Sequence, residues 1–226
     1  MRSFYERENL KKYGKLLVGL FLCGVGIVMV VNSNLGGAPW DVFHIGISKH
    51  LGIQYGKVSI IMGAVVVLLN IALGQVIGLG TLLNMCLIGT FTDLINNSGF
   101  IPSPTGTLPL QSFLLAGGIL AFGYGTYLYM AQGKGAGPRD GLMQVLNRKT
   151  GISVAIVKNG IEVIVLLIGI LLGGKAGIGT IVYALSIGFV IQFLFDRHKI
   201  DIKALTHAKL KEEILSLLPG GREKRP

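Results

Sequence analysis

Acidic side chains are scarce in this chain, 11 Asp and Glu in 226 residues, and charge of either sign makes up only 14% of it. A soluble domain carries about 25% charged residues, so composition argues against one. Cysteine is nearly absent: Cys23 and Cys86 are the pair, each inside an apolar run, where cysteine acts as a small buried hydrophobe. Neither a disulfide framework nor a thiolate metal site follows from them. Histidine numbers four, two of them in the C-terminal stretch at His198 and His207. No HExxH, GxSxG or phosphate-loop string occurs. The expectation is a protein without enzymatic activity, cofactor or metal.

What is present is hydrophobicity, 51% of residues, with a mean hydropathy of +0.64. Lys and Arg crowd into residues 1–15 and 196–226 and bring the net charge to +10. Basic flanks beside long apolar runs set membrane orientation and touch anionic headgroups, so nucleic acid is not the expected partner; the lipid bilayer is. The apolar run from Lys15 to Val31 lacks an A-x-A-like cleavage site and reads as a retained first span rather than a signal peptide.

The string GGAPWDVF at 36–43 returns as GAGPRDGL at 135–142, an offset of 99 positions. The same offset pairs Gly19 with Gly118, Gly26 with Gly125, Gly52 with Gly151, Gly74 with Gly173, and GLGT at 78–81 with GIGT at 177–180. An ungapped register that also matches Pro and Asp identifies a tandem duplication. Each half holds a long apolar segment (about 15–33 and 110–131) and a Gly-rich break. A short segment (39–50 and 138–150) and two further spans (57–74 and 79–95, 153–173 and 178–195) complete it. A 12-residue helix rises about 18 Å, too little for a core of about 30 Å, so the short segments read as half-helices.

The expected fold is an all-α polytopic membrane protein, six transmembrane helices arranged as two inverted three-helix repeats. Its parts would be a basic cytoplasmic N-terminus (1–14), membrane repeats at 15–97 and 110–196 joined by an extracytoplasmic linker (98–109), and a basic amphipathic cytoplasmic tail (197–226). In the tail Ile202, Leu205, Leu210, Ile214 and Leu217 have the spacing of a surface helix. Lys134, Arg139, Arg148 and Lys149 fall inside, as the positive-inside rule asks; Lys49 and Lys57 fall outside, against it. Counting the short segments as crossings would instead give eight spans and parallel repeats.

Non-helical backbone at membrane depth must be buried in protein or line a wet cavity, which makes the two breaks the candidate site. Pro39 and Pro138 stand where a helix restarts without needing an N–H, and Asp41 and Asp140 fall in the first turn, favoured by the macrodipole. Capping and solute binding are both open for these carboxylates. Trp40 is replaced by Arg139 across the duplication. An aromatic face, a guanidinium and two helix N-termini suit a small anionic or zwitterionic solute. Asn34 and His44 complete the expected lining, His44 also as a proton carrier. Lys158 and Glu162 lie four apart on one helix face where the first half has Ser59 and Gly63. They read either as a structural ion pair or as an ion-coupling element with Glu162 the titrating group.

The G-x-P-W-D segment after a first span, degenerate in the second half, resembles the YczE-type bacterial integral membrane proteins, grouped with YyaS and YitT proteins, over about residues 12–197. That resemblance implies a plasma-membrane protein, without a substrate. From the residues, the leading expectation is a small secondary transporter with both termini cytoplasmic; the resemblance implies that its membrane is the bacterial inner membrane. The alternative is a membrane scaffold or regulatory accessory protein docking through its basic tail. A homodimer would use the GxxxG spacing of Gly169 and Gly173, unless those glycines pack helices within one chain.

Overall fold

The computed structural model describes residues 2–152 and 154–199; the expected amphipathic tail helix therefore lies outside the described residues. Among the described residues, eight helices follow one another: α1 (Arg2–Asn32), α2 (Pro39–Leu51), α3 (Tyr55–Ala72), α4 (Leu79–Ser98), α5 (Leu108–Met130), α6 (Pro138–Thr150), α7 (Val154–Leu171) and α8 (Ile178–Arg197). The duplication governs their boundaries. α2 and α6 have 13 residues each, α3 and α7 have 18, and α4 and α8 have 20, every pair starting at the sequence offset. Among the described residues, five helices, those at Asn9–Asn32, Tyr55–Ala72, Leu79–Ser98, Leu108–Met130 and Ile178–Arg197, are long and apolar enough to cross a membrane. α8 turns Ile181, Leu185, Phe189 and Phe193 outward, each more than 60% exposed, an apolar face far larger than water tolerates. One expectation is corrected: α1 does not start near residue 15 but continues back through the basic stretch to Arg2.

α1 and α5 form the centre. Their glycines let the backbones touch: an added methyl at Gly19 would stand 2.7 Å from the Gly125 carbonyl oxygen, and one at Gly118 would stand 2.8 Å from that of Gly26. Early residues of α1 thus meet late residues of α5, so the two run antiparallel. Small residues at a crossing substitute close van der Waals packing for the hydrophobic effect, which lipid cannot supply. The halves also exchange contacts reciprocally. Gly80 N–H donates to the Lys134 carbonyl at 2.7 Å, and Gly179 N–H donates to the Leu35 carbonyl at 2.7 Å, each loop of one half strapping the break of the other.

The reciprocity fails at one place. α3 packs along α4, whereas their counterparts α7 and α8 barely touch among the described residues. An added methyl at Gly89 would stand 2.5 Å from the Gly56 carbonyl oxygen, but its repeat mate Gly188 has nothing within 4 Å.

Candidate functional site

Both breaks owe their shape to glycine. Gly36 has φ 118° and Gly135 has φ 134°, a region closed to side chains that carry Cβ. The chain then restarts on Pro39 and Pro138, each the first helical residue, after Ala38 and Gly137 in the N-cap position. Thr81 Oγ1 donates to the Ala136 carbonyl at 2.6 Å and Asn70 Nδ2 to the Pro138 carbonyl at 2.8 Å, so the second break is fastened by α4 and α3.

The two restarts converge on one cavity of about 170 Å³. A single water needs roughly 10–15 Å³, so a small solute has room. Trp40 and His44 line it from α2, Arg139 and Asp140 from α6, and Lys158 and Glu162 from α7. Six of the eight side chains expected at the site thus share one cavity. The Arg139 guanidinium carbon sits 4.5 Å from the centre of the Trp40 ring, within cation–π range. The residue that changes between repeats therefore meets its own counterpart. No hydrogen bond holds Arg139 among the described residues, leaving its in-plane N–H donors available. Lys158 and Glu162, although four apart, close no ion pair with each other or with any described residue. The structural ion pair is thus absent from this arrangement.

Asp41 lies beneath the cavity rather than in its wall. It is 3% exposed, accepts a hydrogen bond from the Tyr55 hydroxyl at 2.7 Å and another from the Ala38 backbone N–H. This is the capping reading, with a tyrosine added. Asp140 does line the cavity; it accepts from Tyr129 Oη at 3.3 Å and lies back over Gly137, where an added Cβ would be 3.2 Å from its Oδ2. Asn34 is not in the cavity. It occupies a left-handed turn, φ 57°, at the end of α1, and donates to Ser103 Oγ at 2.9 Å and the Pro104 carbonyl at 3.1 Å, anchoring the linker. His44, 1% exposed, packs its ring against Trp40, Phe43 and Tyr55, and its Nδ1 has no partner.

Tyr55 and Tyr129 escaped the sequence reading. Their repeat mates are Val154 and Val30, so a search for duplicated polar residues passes over both. Asn70 and Asn84 are polar positions in the otherwise apolar α3 and α4; the first holds Pro138, and the second lines the cavity. Both cysteines are free. Gly169 packs on Phe43 of α2 within the chain, the intramolecular of the two uses open to it. Lys49, awkward for orientation, donates through Nζ to the Gly173 carbonyl, where a cation suits the C-terminal end of α7.

Known proteins give the frame. A family of unknown function, DUF6198, matches residues 10–196. An uncharacterized protein of Haemophilus influenzae is 38% identical over 80% of this chain and 82% of its own length. The uncharacterized membrane protein YczE of Bacillus subtilis is 35% identical over 83% of this chain and 87% of its own length. The uncharacterized protein YyaS of the same organism is 23% identical over 83% and 95%. No solved structure matches. The resemblance to the YczE-type group stands, and with it the multi-pass membrane character.

Proposed function

Because the chain belongs to DUF6198, a family of unknown function, its activity has to be read from the site, and we propose a small secondary transporter of an anionic or zwitterionic solute. The observation that carries this reading is the meeting of the two half-helix starts in one cavity, with Arg139 over the Trp40 ring and without a hydrogen bond among the described residues. Broken helices at a repeat interface are where secondary transporters hold substrate. The protein is not an enzyme on this reading and needs no cofactor.

The proposed topology has six spans, α1, α3, α4, α5, α7 and α8, with α2 and α6 as re-entrant half-helices. Antiparallel packing of α1 on α5 supports inverted repeats and disfavours eight spans with parallel repeats. Lys134 lies over the Tyr13 ring at 4.9 Å and 3.5 Å from Asn9 Oδ1, which puts the second break at the basic N-terminal end of α1. Asn32 and the linker mark the other end, Asn32 Nδ2 donating to the Ile101 carbonyl at 2.9 Å. With basic segments inside, both termini are cytoplasmic in a bacterial inner membrane. The seam between α7 and α8 then opens the cavity toward the cytoplasm, and rocking of one repeat against the other would open the seam between α3 and α4 instead.

Thermal stabilisation of the purified protein across a panel of small solutes tests binding, since a ligand of the folded state raises its apparent stability. Uptake into proteoliposomes tests transport. Arg139→Gln is expected to abolish both while leaving folded protein in the membrane, and deletion of 200–226 to spare both. Active Arg139→Gln protein together with an inactive tail deletion would overturn the reading in favour of a scaffold.

A further inference from the structure

The charges lining the cavity balance. Arg139 and Lys158 face it with Asp140 and Glu162, while Asp41 is closed off beneath by Tyr55. A solute bearing one net charge would upset that balance in a place of low effective dielectric, where unpaired charge is costly. A solute carrying both charges would not. The ends are also separable. Arg139 offers a planar donor fork that matches a carboxylate in two parallel hydrogen bonds, and Trp40 holds its plane by stacking. Glu162 is the acid on the other wall with no hydrogen bond or ion pair among the described residues. Buried His44 borders the same space with an unpartnered ring nitrogen. The rest of the wall is mixed: Met62, Met85, Met143 and Phe122 supply apolar surface beside Asn84 and Thr126, and methionine fits side chains of varied shape.

We propose that the solute is a zwitterion with an apolar body, of the amino-acid class, its carboxylate on Arg139 and its ammonium on Glu162. This narrows the transporter reading and rests on it for the location of the site. Lys158, one turn before Glu162 on α7, supplies the second positive charge that keeps the four facing charges in balance.

Three probes sharing one body separate the ends: leucine, 4-methylpentanoate, which lacks the ammonium, and 3-methylbutylamine, which lacks the carboxylate. Methionine and phenylalanine with their corresponding analogues extend the series. Titration calorimetry on the full chain in nanodiscs should give at least tenfold tighter binding of a zwitterion than of either truncated analogue. Glu162→Gln should weaken the zwitterion at least tenfold and leave the acid unchanged, while Arg139→Gln should lose zwitterion and acid alike. Monodisperse elution and unchanged helical circular dichroism establish that each variant is folded, and Arg139→Lys, which keeps the charge without the fork, should fall between wild type and Arg139→Gln. Acid binding as tightly as the zwitterion, or no binding by any member of the series, overturns the assignment. Zwitterion binding without uptake into proteoliposomes would sink transport but keep the ligand class; uptake of the acid alone would do the reverse.

Discussion

The seam between α3 and α4 is shut and the seam between α7 and α8 is not, although the two pairs match in helix length and in the positions where their helices start. In the first, Gly56 meets Gly89, Asp93 Oδ1 accepts the Gly56 N–H at 2.8 Å, and Met85 fills the space beside Gly63. In the second, the sequence puts Ala155, Glu162 and Gln192 where Gly56, Gly63 and Asp93 stand, and Gly188 is left open. The contrast says that identical architecture supports two packings. It also says that closure depends on small residues at the contact and a carboxylate that reaches the facing helix start. On the transporter reading proposed above, one seam of each kind would offer the central cavity to one side at a time, as alternating access requires.

The strongest way to break the comparison is to deny α3 its contact. Gly56→Leu places a branched side chain against the Gly89 backbone and the Asp93 carboxylate. The closed seam should part, uptake should fall at least tenfold, and a cysteine replacing Ile60 in a background lacking Cys23 and Cys86 should become reactive to thiol reagents. Unchanged labelling and uptake would mean that the seam is not a gate. Next in size, making α7 resemble α3 with Lys158→Ser and Glu162→Gly should let α8 approach, so a cysteine replacing Gly188 loses reactivity several-fold. Labelling that stays the same would show that the charged pair does not hold the seam open.

Smaller effects compare the two aspartates. Tyr55→Phe removes a donor from a buried carboxylate bonded at 2.7 Å, and stability should fall by about 1–3 kcal/mol. Tyr129→Phe, at 3.3 Å from a carboxylate in the cavity wall, should cost less. Thermal melts of both variants check the order, and equal losses would contradict it. Smallest of all, Asp93→Asn keeps an acceptor near Gly56 but loses its charge. Closure should weaken by about 1 kcal/mol, read as a modest rise in labelling of the cysteine at position 60.

How far the sequence carried these readings depends on where glycine and proline sit. They punctuate the chain, so the short helices expected at 39–50 and 138–150 match Pro39–Leu51 and Pro138–Thr150. The start of α1 was misplaced because no proline interrupts its basic first turns and charge alone does not end a helix. Trp40 and Arg139 were visible as the one prominent change inside a repeated motif. Their stacking was not, since it joins residues of opposite halves. Tyr55 and Tyr129 belong to no motif and are found only where the fold brings them to the aspartates. Asn34 adjoins the first break in sequence, yet its left-handed turn points it to the linker. The unequal seams were foreshadowed by Gly63 becoming Glu162, but whether a helix pair closes is a property of packing that no single position states.

Distances across both seams test the central claim most directly. Spin labels at Lys57 and Leu94 span the α3–α4 seam, and labels at their repeat mates Ile156 and Phe193 span the α7–α8 seam, all four positions being exposed. Pulsed electron resonance on the protein in nanodiscs should find a short first distance paired with a long second one. A second population with the order reversed should change in proportion when a bound solute is added. One fixed distance at each seam, indifferent to every solute that binds, would contradict the account.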